Sequence, residues 1–330
     1  EESGSYSVAF PGGFRLIAIY DNGNGRSHCG LFDEGFSWLE AEIKKANERG
    51  EWVFLAVHHP VLPPWPVYKG IAEFELFGGY EKLSKIMCEN GVKVIFTGHT
   101  HVQGIKKYED SEGRCFYDIT TSALPSAAGK MRKVVFDKQQ GTCSVESIGI
   151  ETIEGLDTKG MSARDYIYSL NFIGLLEKSL PLMDTDWETF CYNLDRVFRV
   201  PFLRKHPFIS RVAIKLFLKI PMSLIGRFGR KAGGVTREDI KYLKNIEFFD
   251  CLVRIVSSVF GGNGPFPPHT PEYRALRGGA VRGIKLLKVF GVDIDKIIPG
   301  EETALETMNH FLYNDRTGDD DSIIIDMERK

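Results

Sequence analysis

Three short apolar runs, residues 14–20, 52–57 and 92–97, alternate with two amphipathic segments, and this alternation restricts the fold of the first part of the chain more than any other feature. FRLIAIY, WVFLAV and VKVIFT are short, rich in β-branched and aromatic residues and bounded by turn residues, so each reads as a buried strand. Between the first two, Phe36, Leu39 and Ile43 recur at helical spacing while Glu40, Glu42, Lys44 and Lys45 face water. A helix is expected there, capped by Asp33 and ended near Arg49 by Gly50. Residues 80–89 give a second helix, with Leu83, Ile86 and Met87 on one side and Asn90 with Gly91 as its stop. Strands and helices in this order, joined by short links, pair in parallel, and right-handed crossovers bring the carboxyl ends of all three strands to one edge. Sheets of this type hold ligands at that edge. Here it carries Asp21, then His58 and His59, then His99 and His101.

From residue 105 the pattern becomes antiparallel. Residues 105–108, 115–120, 133–136 and 144–150 read as successive strands of a second sheet layer, closing a first domain near Ile153. Beyond Thr158 the periodicity is helical: Ser162 opens one helix, Thr185 or Asp186 another, and Thr236 with Asp239 forms a capping box. Residues 261–271, GGNGPFPPHTP, stack glycines and prolines and form a loop. The expected architecture is an α/β double-sheet domain over residues 1–153 and an all-α accessory domain over 154–330.

Composition matters mainly for what it excludes. The 42 basic and 44 acidic residues nearly cancel, so no nucleic-acid partner is expected from net charge. Six well-separated cysteines without a CxxC pair point to a reduced, cytoplasmic setting. No apolar run is long enough to cross a bilayer, and the opening EESGSYSVAF lacks a signal-peptide pattern. Local charge is less even. The segment 196–231 begins at Arg196, ends at Lys231 and contains no acid; its basic residues interleave with Phe, Leu and Ile. It reads as a helical core element with a solvated basic face, as a peripheral membrane contact, or as a surface that draws in an anionic substrate. The acidic stretch at 313–326 lacks the spacing of a calcium loop and reads as a surface turn followed by a short strand.

Neutral imidazoles are common ligands of transition metals, and several of them converging on one strand edge make an open cup for such ions. In GHTH, Gly98 lets the chain turn sharply so that His99 and His101 can enter one crevice. VFLAVHHPVLP at 53–63 and VIFTGHTHVQG at 94–104 resemble the fourth and fifth motifs of the calcineurin-like metallophosphoesterases, which include purple acid phosphatases and cyclic-nucleotide phosphodiesterases. GLFDEGFSWLEAEIKKA at 30–46 resembles the helix preceding the first of these motifs, and the likeness runs from about Tyr6 to Ile150. The resemblance implies the later strands of that family's double-sheet sandwich and a site holding two Mn, Fe or Zn ions. His58 and His99 would bind one ion and His101 the other, with His59 beside the phosphate or behind the ligands. The implied reaction is hydrolysis of a phosphate mono- or diester by a metal-activated hydroxide. No catalytic acid, base or nucleophile is assigned.

The chain departs from the family in lacking the upstream DxH, GD and GNH motifs. DNGNG at 21–25 falls, by the resemblance, on the strand after GNH and reads as a tight turn. Three imidazoles cannot replace a carboxylate that bridges two cations about 3.5–4 Å apart. The chain is therefore expected to be the downstream portion of a longer enzyme, inactive or incomplete as it stands. The competing expectation, from another class, is a noncatalytic interaction protein whose basic helical half binds a membrane or partner while the histidine pocket is vestigial.

Overall fold

The computed structural model describes residues 4–22, 29–65, 68, 73–124, 126, 129–163, 166–167, 178, 181–198, 207–260, 264–291, 293–296, 303–313 and 320–328. Its first sheet has the order β1-β2-β3-β4-β6-β5, where β1 is Tyr6–Phe10, β2 Phe14–Ile19, β3 Trp52–Val57, β4 Val94–Thr97, β5 Gly104–Glu109 and β6 Cys115–Thr120. β2, β3, β4 and β6 run parallel, and β1 and β5 close the edges antiparallel. Helices α1 (Asp33–Glu48) and α2 (Tyr80–Glu89) cover one face, burying Leu39, Ile43, Leu83 and Met87 with Ile17, Leu55 and Ile95. The other face meets a second sheet of β7 (Lys130–Asp137), β8 (Thr142–Gly149) and β9 (Ser322–Asp326). Phe136 of β7 is wedged there against Phe54, with ring centroids 4.8 Å apart, and against Phe14 at 5.7 Å. The result is the expected α/β double-sheet sandwich.

Three expectations are corrected. The strands at 105–108 and 115–120 belong to the first sheet, not to the second layer. Local alternation identifies the β5–β6 hairpin, but membership depends on β6 pairing in parallel with β4, Ile95 opposite Asp118, and on the full burial of Phe116 and Ile119. The division at residue 153 is crossed as well: β9, at the far end of the chain, pairs antiparallel with β8 and buries Ile325 in the inter-sheet core. That pairing spans the whole helical region, and no local pattern encodes it. Asp33 does not cap α1; Phe32 is the N-cap residue, while Asp33 sits in the first turn and pairs with Lys82 at 2.6 Å.

The helical region comprises α3 (Trp187–Phe198), α4 (Pro207–Leu218), α5 (Met222–Phe228), α6 (Arg237–Tyr242), α7 (Phe248–Phe260), α8 (Pro271–Val289) and α9 (Ala304–Leu312), with shorter turns between. The capping box opening α6 is formed: Asp239 N donates to Thr236 Oγ1 at 3.0 Å and Thr236 N to Asp239 Oδ2 at 2.9 Å. Asp186 caps α3 by accepting from Thr189 N. The helix expected from Ser162 and the loop at 261–263 lie largely outside the described residues. Met222, Leu243, Cys251, Phe266, Ala275 and Leu312 make the region's own core. It is tied to the sandwich where Trp65 Nε1 donates to the carbonyl of His310 at 2.9 Å, with Phe311 against the indole. In the basic segment, residues 199–206 lie outside the described residues; of the others, Lys215 pairs with Asp184 and Arg211 lies over Trp187. No helix among the described residues is long and apolar enough to cross a membrane.

Candidate metal centre

Strands β3 and β4 lie side by side, Leu55 opposite Ile95, so the residues that follow them emerge together at the carboxyl edge of the sheet. Gly98 N donates to the carbonyl of His58 at 3.0 Å and fixes the two exits at one point. His58, His59 and His99 converge there, each offering a nitrogen within 4.8 Å of the others. His99 Nδ1 is 3.0 Å from His58 Nε2, and the His59 and His99 rings are 3.9 Å apart. Partial burial, with the neighbouring His99 and His59 rings, holds the His58 pKa below its ordinary value, which favours the neutral ring a cation needs. His99 and His101 have φ of 60° and 58°, left-handed conformations that residues with a Cβ rarely adopt. Such backbone costs about 1–3 kcal/mol per residue and persists where the surroundings hold it, commonly at functional sites.

Two carboxylates reach this cup from outside the histidine motifs. Asp21, directly beyond β2, is buried and accepts from His59 N at 2.9 Å and from His59 Nδ1 at 2.8 Å. This bond selects the Nδ1–H form of His59 and leaves Nε2 as its ligand nitrogen. The same Asp21 and His59 form a second close group with Cys29, whose pKa burial pushes up, keeping the thiol protonated while it donates to Leu76 O at 3.1 Å. Glu75, in the turn Glu73–Glu75, pairs with His99 Nε2. The backbone near Glu75 is held by Phe77 N donating to Pro60 O at 2.7 Å and Gly78 N to Cys29 O at 2.9 Å. Gly30 makes this approach possible: its φ is 140°, and a Cβ there would lie 2.4 Å from Gly78 O. Tyr68, also in this loop, has its phenol pushed up to about 12 by burial and by Glu75.

The structure thus brings His58, His59 and His99 together. His101 is exposed and stands outside the close group. Sequence reasoning missed two residues of the site. Asp21 had a signal, its place at the end of a parallel strand beside HHP, but was read as part of a turn. Glu75 had none, because it sits in a short turn between β3 and α2 whose position depends on contacts with Pro60 and Cys29, distant in the chain. A separate polar concavity of about 830 Å³ opens at the opposite edge of the sheet, near Lys93, Arg114 and Asp326, and contains no close group of ligating side chains among the described residues.

Residues 3–103 match the family model of the calcineurin-like phosphoesterases. This segment belongs to that family. In this structure the matched segment spans β1 to β4, α1, α2 and the histidines of both strand ends. Among solved structures, a dimetal phosphatase from Danio rerio is similar at 14% identity and a TM-score of 0.35, covering 44% of this chain and 57% of that one. This chain therefore spans little more than half of that protein, and the likeness is too slight to carry a role across. No curated protein sequence matches.

The donors at the cup fit a borderline transition-metal ion: imidazole nitrogens, with the His58 ring biased toward neutrality and His59 backed by a buried carboxylate, and a second carboxylate within reach.

Proposed function

We propose that this protein is a metal-dependent phosphoesterase acting on a phosphate mono- or diester at the edge formed by β2, β3 and β4. The observation that carries this reading is the convergence of His58, His59 and His99 on adjacent strand ends, with Asp21 behind His59. His58 and His99 present facing nitrogens that would hold a Mn, Fe or Zn ion, and His59 completes the nitrogen set through Nε2 while Asp21 keeps its ring from turning. Glu75 contributes negative charge beside His99 and raises the affinity of the cup for a cation. A bound ion of this kind supplies positive charge against phosphoryl oxygens and lowers the pKa of water. Glu75 and the half-buried Tyr68 would contact the group esterified to phosphate.

The test is titration calorimetry of the full chain with Mn²⁺ and Zn²⁺, followed by hydrolysis assays on aryl phosphate mono- and diesters. Metal binding that is lost in His58→Ala and His99→Ala, with ester cleavage that depends on the same residues, is the expected result. A folded chain that binds neither ion removes the proposal.

A further inference from the structure

Asp118 of β6 is fully buried, and nothing in its own strand calls for a charge: Phe116, Ile119 and Thr120 around it are buried as well. A carboxylate there costs several kcal/mol unless its lone pairs are filled. They are filled from both histidine-bearing segments. The Oδ2 atom accepts from Val61 N and Leu62 N, each at 2.8 Å, immediately beyond His58, His59 and Pro60. The Oδ1 atom accepts from Thr97 Oγ1 at 2.6 Å, and Thr97 is the last residue of β4 before Gly98 and His99. Burial raises this carboxyl to about 6, against the pull of its donors.

Beyond the β3–β4 ladder, the bond from Gly98 N to His58 O joins the two strand exits at one point. We infer that Asp118 is a positioning residue for the cup: by gathering the backbone after His59 and the hydroxyl before His99 on one carboxylate, it adds a second point and fixes the separation of the two histidine pairs. The functional meaning of this clamp rests on reading the imidazoles as metal ligands, but the clamp itself can be measured without metal.

The experiment compares wild-type chain with Asp118→Val, Asp118→Asn and Thr97→Val, using Co²⁺ alone as the probe and amide hydrogen exchange at Val61 and Leu62. Asp118→Val is expected to remain folded by circular dichroism, to lose exchange protection at both amides, and to bind Co²⁺ about 10–100-fold more weakly with a shifted visible band. Asp118→Asn keeps an oxygen for the two amides and should recover part of the affinity, a rescue that a general loss of stability does not give. Thr97→Val removes one donor and should fall between wild type and Asp118→Val. A folded Asp118→Val with unchanged Co²⁺ affinity and band overturns the inference. If Asp118→Val does not fold, unchanged Co²⁺ binding in both other variants overturns it instead. Wild-type chain that binds no Co²⁺ ends the metal reading by itself; the exchange measurement then decides whether the clamp exists.

Discussion

His101 holds a left-handed backbone with φ of 58° and an exposed side chain, so its strain is not repaid by packing within the fold. His101→Gly is expected to stabilise the metal-free chain by about 1 kcal/mol, read by urea unfolding in the presence of a chelator. Asp21 acts on the cup through another residue. Asp21→Asn preserves shape but offers an amide where His59 N and Nδ1 both donate to one carboxylate oxygen. Mn²⁺ affinity, measured by calorimetry, is expected to fall about 10–100-fold. The two residues differ in how far the sequence revealed them. GHTH is legible because a glycine and two histidines directly follow an apolar run, whereas Asp21 shares its appearance with any turn aspartate until β2 and β3 are known to be neighbours.

At the scale of elements, the helical region depends on close helix contacts and on caps. Gly278 of α8 lies where an added Cβ would come within 2.4 Å of Gly229 O and 2.8 Å of Gly233 Cα. Gly278→Ala must push α8 away from the end of α5, and overpacking of this kind costs about 1–3 kcal/mol, to be checked by thermal unfolding. The α6 cap carries a pH signature. Arg274 donates to both Asp239 oxygens, at 2.9 and 2.6 Å, and this pairing, followed by the Thr236 donors, holds the carboxyl below its ordinary range. A carboxyl whose folded pKa is depressed stabilises the fold above its unfolded pKa of about 3.9, and that contribution is lost as pH falls through the folded value. Asp239→Asn should therefore lower the melting temperature at pH 6, and the gap to wild type should narrow as pH falls below about 4. A gap that stays constant down to acid pH would contradict this.

For the molecule as a whole, the sandwich and the helices are linked through the end of the chain. β9 fills the edge beside β8, and Asp320 just before it accepts from Ile105 N at 2.7 Å while its carbonyl takes Arg132 Nη1 at 2.7 Å. Ile325 is 1% exposed in the inter-sheet core. Ile325→Ala is expected to cost about 2–5 kcal/mol by denaturant unfolding, although the residue lies far in sequence from the strands it packs on.

The sequence alone determined the three parallel strands, the two helices between them, the hairpin of β5 and β6, and the histidines at the carboxyl edge. Each follows from periodicity within a few residues and from the handedness that places strand ends together. Tertiary structure decided which sheet β5 and β6 complete, that a strand more than 170 residues beyond β8 returns to pair with it, and that Asp21, Glu75 and Asp118 surround the histidines. These depend on contacts between segments distant in the chain, and a side chain's local pattern carries no record of the group that will face it.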